Sequence, residues 1–163
     1  MNFSIEIEGD EAVLSRFDEL PAKLRASLTK KISYLTLYLE NYIKTEKLSG
    51  QVLNVVSGRL RRSIYSKVEQ TDTSVIGSVS SSGDVKYAAI HEFGFDGQET
   101  VRAHTREIKQ AFGKAISPKT VEVREFTRHM VMPERSFMRS SFQDLKAMLQ
   151  QGVRDAVTEG LAP

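Results

Sequence analysis

The stretch Leu24-Arg25-Ala26-Ser27-Leu28-Thr29-Lys30-Lys31-Ile32-Ser33-Tyr34-Leu35-Thr36-Leu37-Tyr38-Leu39-Glu40-Asn41-Tyr42 decides the fold class. Leu24, Leu28, Ile32, Leu35, Leu39 and Tyr42 recur at steps of four, four, three, four and three, which lays them along one side of a helix. The spacing predicts a long helix over about 22–46, with Pro21 ahead of its first turn, where a missing N–H costs nothing. Tyr34, Leu37 and Tyr38 widen the apolar surface until the middle of the helix is greasy almost all round, as if it touched a sheet on one side and something else on another. A neighbouring subunit and a second helix of the same chain both fit that description.

Working outward, Phe3, Ile5 and Ile7 alternate with Ser4, Glu6 and Glu8, the period-2 pattern of a short strand with one wet face. Gly9-Asp10 ends it, and Asp10 is placed to cap a short helix with Glu11 near its positive end. On the other side Ser49-Gly50 and Ser57-Gly58 bracket a loop. Leu60, Ile64, Val68, Val75, Ile76 and Val79 then sit in Ser/Thr-rich, β-branched surroundings that predict two antiparallel strands joined near Thr71-Asp72. Residues 85–93 read as a short helix or turn. Strand-like stretches over 99–108 and 120–131, with 111–118 between them, predict a β-hairpin arm over 98–132. Met132-Pro133-Glu134 opens the last element, whose stripe of Met138, Phe142, Leu145, Leu149, Val153 and Ala156 predicts a helix on the same sheet, ending near Gly160. The expected architecture is α+β: a long N-terminal helix and a C-terminal helix packed on a small antiparallel sheet, with a protruding hairpin arm, in one domain spanning 1–163.

Composition agrees with a folded domain. The 163 residues are 40% hydrophobic and 27% charged, which excludes a disordered or low-complexity chain. Cysteine is absent, so thiol enzymes, disulfide scaffolds and cysteine-based zinc sites are excluded, and a reducing compartment fits. No apolar run approaches the roughly 20 residues that cross a bilayer, and the first residues carry no basic leader, so neither membrane spanning nor export by signal peptide is expected.

The net charge of +2 is unevenly laid out. Residues 1–20 carry six acidic side chains against Arg16 alone, whereas residues 21–70 carry ten basic against three acidic. Residues 71–98 amount to −3, residues 99–131 to +3, and the remainder is balanced. Blocks of opposite sign suit head-to-tail contact between copies; they also suit ordinary solvated faces.

Catalytic patterns are missing. His91-Glu92 lacks the second histidine of a helical zinc-protease motif, because that position is Phe95. His91, His104 and His129 are too isolated in sequence to argue a metal site, although the last two could face each other across the predicted hairpin. Gly94-Phe95-Asp96-Gly97 lacks dinucleotide-binding spacing, and no phosphate loop, nucleophile elbow or carboxylate pair is found. No catalytic residue, metal ligand or cofactor is expected.

The dense feature is Arg59-Leu60-Arg61-Arg62-Ser63-Ile64, read as strand, with Arg59 and Arg61 on one face. Guanidinium forks bind carboxylates and phosphates; on an exposed strand they also discourage edge pairing. The arm adds Arg102, Arg106, Arg124 and Arg128 with three lysines, fitting an arm that is free, laid against a neighbouring chain, or skirting nucleic acid.

Three segments carry a resemblance. Ser57-Gly58-Arg59-Leu60-Arg61-Arg62-Ser63-Ile64, Tyr87-Ala88-Ala89-Ile90-His91-Glu92-Phe93-Gly94 and Met132-Pro133-Glu134-Arg135-Ser136-Phe137-Met138 occur in that order. The chain thereby resembles the tail-completion, or neck, family of long-tailed bacteriophages, which includes proteins similar to the lambda minor tail protein Z. The resemblance covers most of the chain, with Ser57 where many relatives carry threonine, and it says least about the arm. It implies a non-enzymatic virion protein at the head–tail junction, assembled in the host cytoplasm. The implied partners are copies of itself in a ring, phage tail proteins and head-side connector proteins, with DNA contact in the lumen left open. Arg59, Arg61, Arg62, Arg102, Arg106, Arg124 and Arg128 are the expected subunit or partner contacts, facing an acidic surface built from residues 1–20. Gly58, Leu60, Ser63, Tyr87, Glu92, Phe93, Gly94, Pro133 and Phe137 are the expected structural positions. A nucleic-acid-binding module using the same arginines is the alternative.

Overall fold

Leu24, Leu28, Leu35 and Leu39 are buried along one long helix, α1 (Ala22–Tyr42), as their spacing requires. The computed structural model describes residues 4–6, 22–71 and 73–161. The expected short helix after Asp10, the turn residue Asp72 and nearly all of the acidic segment 1–20 lie outside those residues. Past Tyr42 the helix loosens into one π-helical turn (Ile43–Lys47), in which the Leu48 N–H donates to the Ile43 carbonyl. The wider turn takes up one extra residue, so Ile43 and Leu48 both reach the core five positions apart.

A three-stranded antiparallel sheet lies against α1. It comprises β1 (Ser4–Glu6), β2 (Ile64–Gln70) and β3 (Val75–Ser81), in the order β1-β3-β2. In β3, residues Val75, Gly77, Val79 and Ser81 are buried in strict alternation. Gly77 is where the layers come closest: a Cβ there would collide with the Thr36 side chain and sit 2.9 Å from Ile32 Cγ2.

The C-terminal helix, α4 (Met138–Leu161), runs antiparallel to α1 and packs most extensively on it rather than on the sheet. Ser27 donates to the Ala156 carbonyl at 3.1 Å, and Tyr42 and Lys47 both reach Asp144 at the other end. Its predicted stripe holds, with Met138, Leu145, Leu149 and Ala156 buried. The small residues Gly152 and Gly160 let Leu35 and Leu24 of α1 approach closely, which gives α1 the role of a central layer between sheet and helix. Phe137, Met138, Leu39, Ile43, Ile64 and Val79 belong to one core cluster. Each such side chain contributes roughly 1.5–3 kcal/mol by leaving water. Tyr34, Leu37 and Tyr38 remain 60%, 51% and 40% exposed, so α4 does not account for the widened apolar side of α1.

Two connecting elements depart from expectation. Arg59–Ser63 is a helical turn, α2, and β2 begins only at Ile64. Gly58 sits at φ 68°, the Arg62 N–H closes onto the Gly58 carbonyl at 3.0 Å, and Leu and Arg favour helix until β-branched Ile64 takes over. The three arginines are therefore not a strand edge. The second departure is the start of α4: Pro133 lies in the link before the helix, which begins at Met138.

The chain divides into two compact units, the described residues up to Phe93 with those from Glu134 onward, and Gly94–Pro133. The first contains everything above together with α3 (Tyr87–Phe93). The second is the predicted hairpin, built as two successive ladders. β4 (Phe95–Val101) pairs with β7 (Phe126–Met132), and β5 (His104–Ala111) with β6 (Lys114–Val123). The strands thus extend through much of the predicted 111–118 connection, leaving Phe112 (φ 51°) and Gly113 (φ 77°) as the loop. Positive φ at both positions is what a two-residue type I′ turn needs. Pro118 falls in the stretch of β6 left out of register opposite Ile108–Gln110, so its missing N–H costs no ladder bond. Among the described residues, no helix is long and apolar enough to cross a membrane.

Candidate functional site

The three motif segments meet in one place. Residues 48–61 supply one wall of a cleft of about 340 Å³, through Leu48, Leu53, Val55, Val56, Gly58, Arg59, Leu60 and Arg61. Tyr87 and His91 of α3 and Arg135 of the link before α4 complete it.

Each motif residue has an identifiable task. Ser63 Oγ donates to the Leu60 carbonyl at 2.7 Å and lies 2.9 Å from Ser81 Oγ, while its own carbonyl accepts from the Ser82 N–H, tying α2 to the end of β3. Leu60 packs on the main core. Glu92 is 0% exposed, and its carboxylate accepts from the Phe137, Met138 and Arg139 N–H groups at 2.8, 2.9 and 2.8 Å, from Ser136 Oγ at 2.9 Å and from Arg139 Nε at 3.2 Å. The first turn of α4 is thus capped by a carboxylate from another helix, satisfying the orphan donors and facing the positive end of the dipole. Phe137 is buried beside that cap, and Phe93 carries the Arg139 guanidinium 4.7 Å above its ring. Gly94 ends α3 at φ 75°, where a side chain would strain the backbone.

The lining is cationic. The Arg59 and Arg62 guanidinium groups donate only to carbonyls, of Asp84 at 3.5 Å and Ser57 at 3.3 Å. Neither they nor Arg61 nor Arg135 enters an ion pair among the described residues. His91 stands edge-on to Tyr87 with ring centroids 5.9 Å apart, and its Nδ1 is buried with no hydrogen-bond partner. Burial pushes the His91 imidazole below the ordinary histidine value, and the Arg135 guanidinium pushes it further the same way.

Of the predicted contacts, Arg59 and Arg61 line this cleft, and Arg62 lies one position on in α2. Arg102, Arg106, Arg124 and Arg128 belong to the other unit. Arg102 and Arg124 fall in the break between the two ladders, Arg106 stands opposite Val121, and Arg128 is engaged with its cross-strand neighbour Glu99 at 2.7 Å. His104 and His129 lie in different ladders and do not face each other; His129 contacts Asp96 at 2.8 Å. Sequence reasoning missed Arg135, His91 and the apolar wall as parts of a shared site. The signal was present, since Arg135 and His91 sit inside two of the quoted motifs.

Comparison of the chain with protein-family models, curated proteins and solved structures finds no match.

Proposed function

We propose that this chain is a structural, non-catalytic virion protein that completes the neck of a long-tailed bacteriophage, working as a ring of copies between tail proteins and head-side connector proteins. The observation that carries this reading is the convergence of three sequence-distant motif segments on one cleft, with Glu92 and Ser63 as its internal ties. The uneven charge, the exposed Tyr34, Leu37 and Tyr38, and an arm without buried residues support a protein built to be covered by others. Purified protein mixed with phage tail tubes and viewed by electron microscopy tests the reading: rings or capped tube ends are expected, and bare tube ends overturn it.

A second reading, a nucleic-acid-binding module, is favoured by the exposed Arg59, Arg61 and Arg62 in a single turn. It requires duplex-DNA affinity that falls steeply as salt rises, whereas the neck protein alone binds DNA weakly at physiological salt.

A further inference from the structure

Phe112 is fully exposed (106%) and stands at φ 51° in the two-residue loop between β5 and β6. The left-handed region suits Asn or Gly there and crowds a bulky side chain, so the loop carries a conformational cost together with an unburied aromatic ring. Strain held at an exposed point marks a contact surface. Pairing continues to Ala111 opposite Lys114, so the ring sits at the end of a ladder about 24 Å long at roughly 3.4 Å per residue. The charge around it has one sign: residues 108–121 contain Lys109, Lys114 and Lys119 and no acidic side chain. Arg106 and Lys119 stand on one face of the ladder, opposite Val121 and Ile108, while Lys114 adjoins the loop. None of these three enters an ion pair among the described residues, whereas Lys109 is held by Glu107 at 2.9 Å.

We propose that the arm binds duplex DNA, with Phe112 entering a base step from the minor groove and Arg106, Lys114 and Lys119 meeting the neighbouring phosphates. Phenylalanine is among the apolar side chains that wedge between base steps, and phosphates line both rims of the groove, so cations behind the ring meet them without a shaped pocket. A pocket on a protein partner fits less well, because lysine is depleted from protein interfaces. A lipid surface also fits less well. Ala111 and Gly113 beside the ring are small, and one ring offers less apolar area than a single acyl chain, which itself binds a membrane only marginally. The inference goes beyond both readings above, since neither names what the tip of the arm touches.

The test uses the full chain and a fluorescent duplex of about 20 base pairs at about 50 mM salt, where a few phosphate contacts are readable. Binding is followed by anisotropy, and a 2-aminopurine base within the duplex brightens when its step is unstacked. Saturable binding with a rise in 2-aminopurine fluorescence is expected. Phe112→Asn, which suits the turn and keeps the ribbon, should weaken binding about tenfold and abolish that rise. Lys114→Glu with Lys119→Glu should weaken binding and flatten its salt dependence. Absence of binding, binding that ignores Phe112→Asn, or binding lost only when Arg59, Arg61 and Arg62 are changed overturns the inference. Attachment to phosphatidylglycerol vesicles that Phe112→Asn abolishes, with the duplex unbound, assigns the ring to lipid and overturns it as well. Capping of tail tubes is read separately, so the neck reading stands or falls whatever the duplex shows.

Discussion

The body and the arm use the same alternating strand pattern to different ends. In β3 the inward positions disappear beneath α1, and α4 seals the other side of that helix, so Leu39, Ile43, Ile64, Phe137 and Met138 are almost wholly withdrawn from water. In the arm, no residue of Gly94–Pro133 is buried, although its ladders are as regular over most of their length. Two-stranded ribbons are marginal in water. Exposed pairs such as Glu99–Arg128 contribute at most about 1 kcal/mol each, so cross-strand hydrogen bonds alone define the ribbon. Period-2 alternation therefore announces a strand but says nothing about whether a second layer exists to receive it.

The contrast can be broken or sharpened by substitution. Glu92→Ala is expected to have the largest effect, on the order of 3–5 kcal/mol in denaturant unfolding, because it strands the α4 N–H groups and Arg139 without their acceptor. A loss below about 1 kcal/mol would mean that the cap is dispensable and that the body rests on apolar packing alone. Next comes a matched pair of glycine substitutions. Gly77→Ala should cost about 1–3 kcal/mol through collision with Thr36 and Ile32, whereas Gly97→Ala in the arm meets only the Phe95 ring, 3.2 Å away, and should change stability by less than about 0.5 kcal/mol. Equal costs would show that the arm is packed like the body.

The smallest effect concerns pH. Because the folded His91 is depressed, the unfolded chain binds the proton more readily, so stability should be complete above about pH 6.5 and decline as pH falls below it toward the folded value. His91→Gln should flatten that part of the stability–pH curve, measured by thermal unfolding across the acid range; an unchanged slope would assign it to other groups.

The helical and strand registers were legible because burial and periodicity are local: Leu24 to Leu39 in α1 and Val75 to Val79 in β3 sit as their spacing demands. Arg59–Ser63 was misread because five residues hold too little periodicity to choose between turn and strand, and the choice fell to Gly58 and the bond from Arg62. Glu92 looked like part of a tight turn, since its partners come from the far side of the arm and no spacing rule connects them. The cleft was half legible: Arg59 and Arg61 stand out as a cluster, whereas Arg135 joins them only through the fold.

The ties across the base of the arm have one more consequence. The Arg135 N–H donates to the His91 carbonyl at 2.8 Å, and Glu92 holds residues 136–139, so the chain leaves and re-enters the body at a point fastened by the body itself. Everything between is an insertion whose closure is already made. Loop-closure cost grows slowly, by about 0.6 kcal/mol for each doubling of length. The arm is thus an exchangeable cassette: the same body can carry a longer ribbon, a shorter one, or a plain turn, and remain folded.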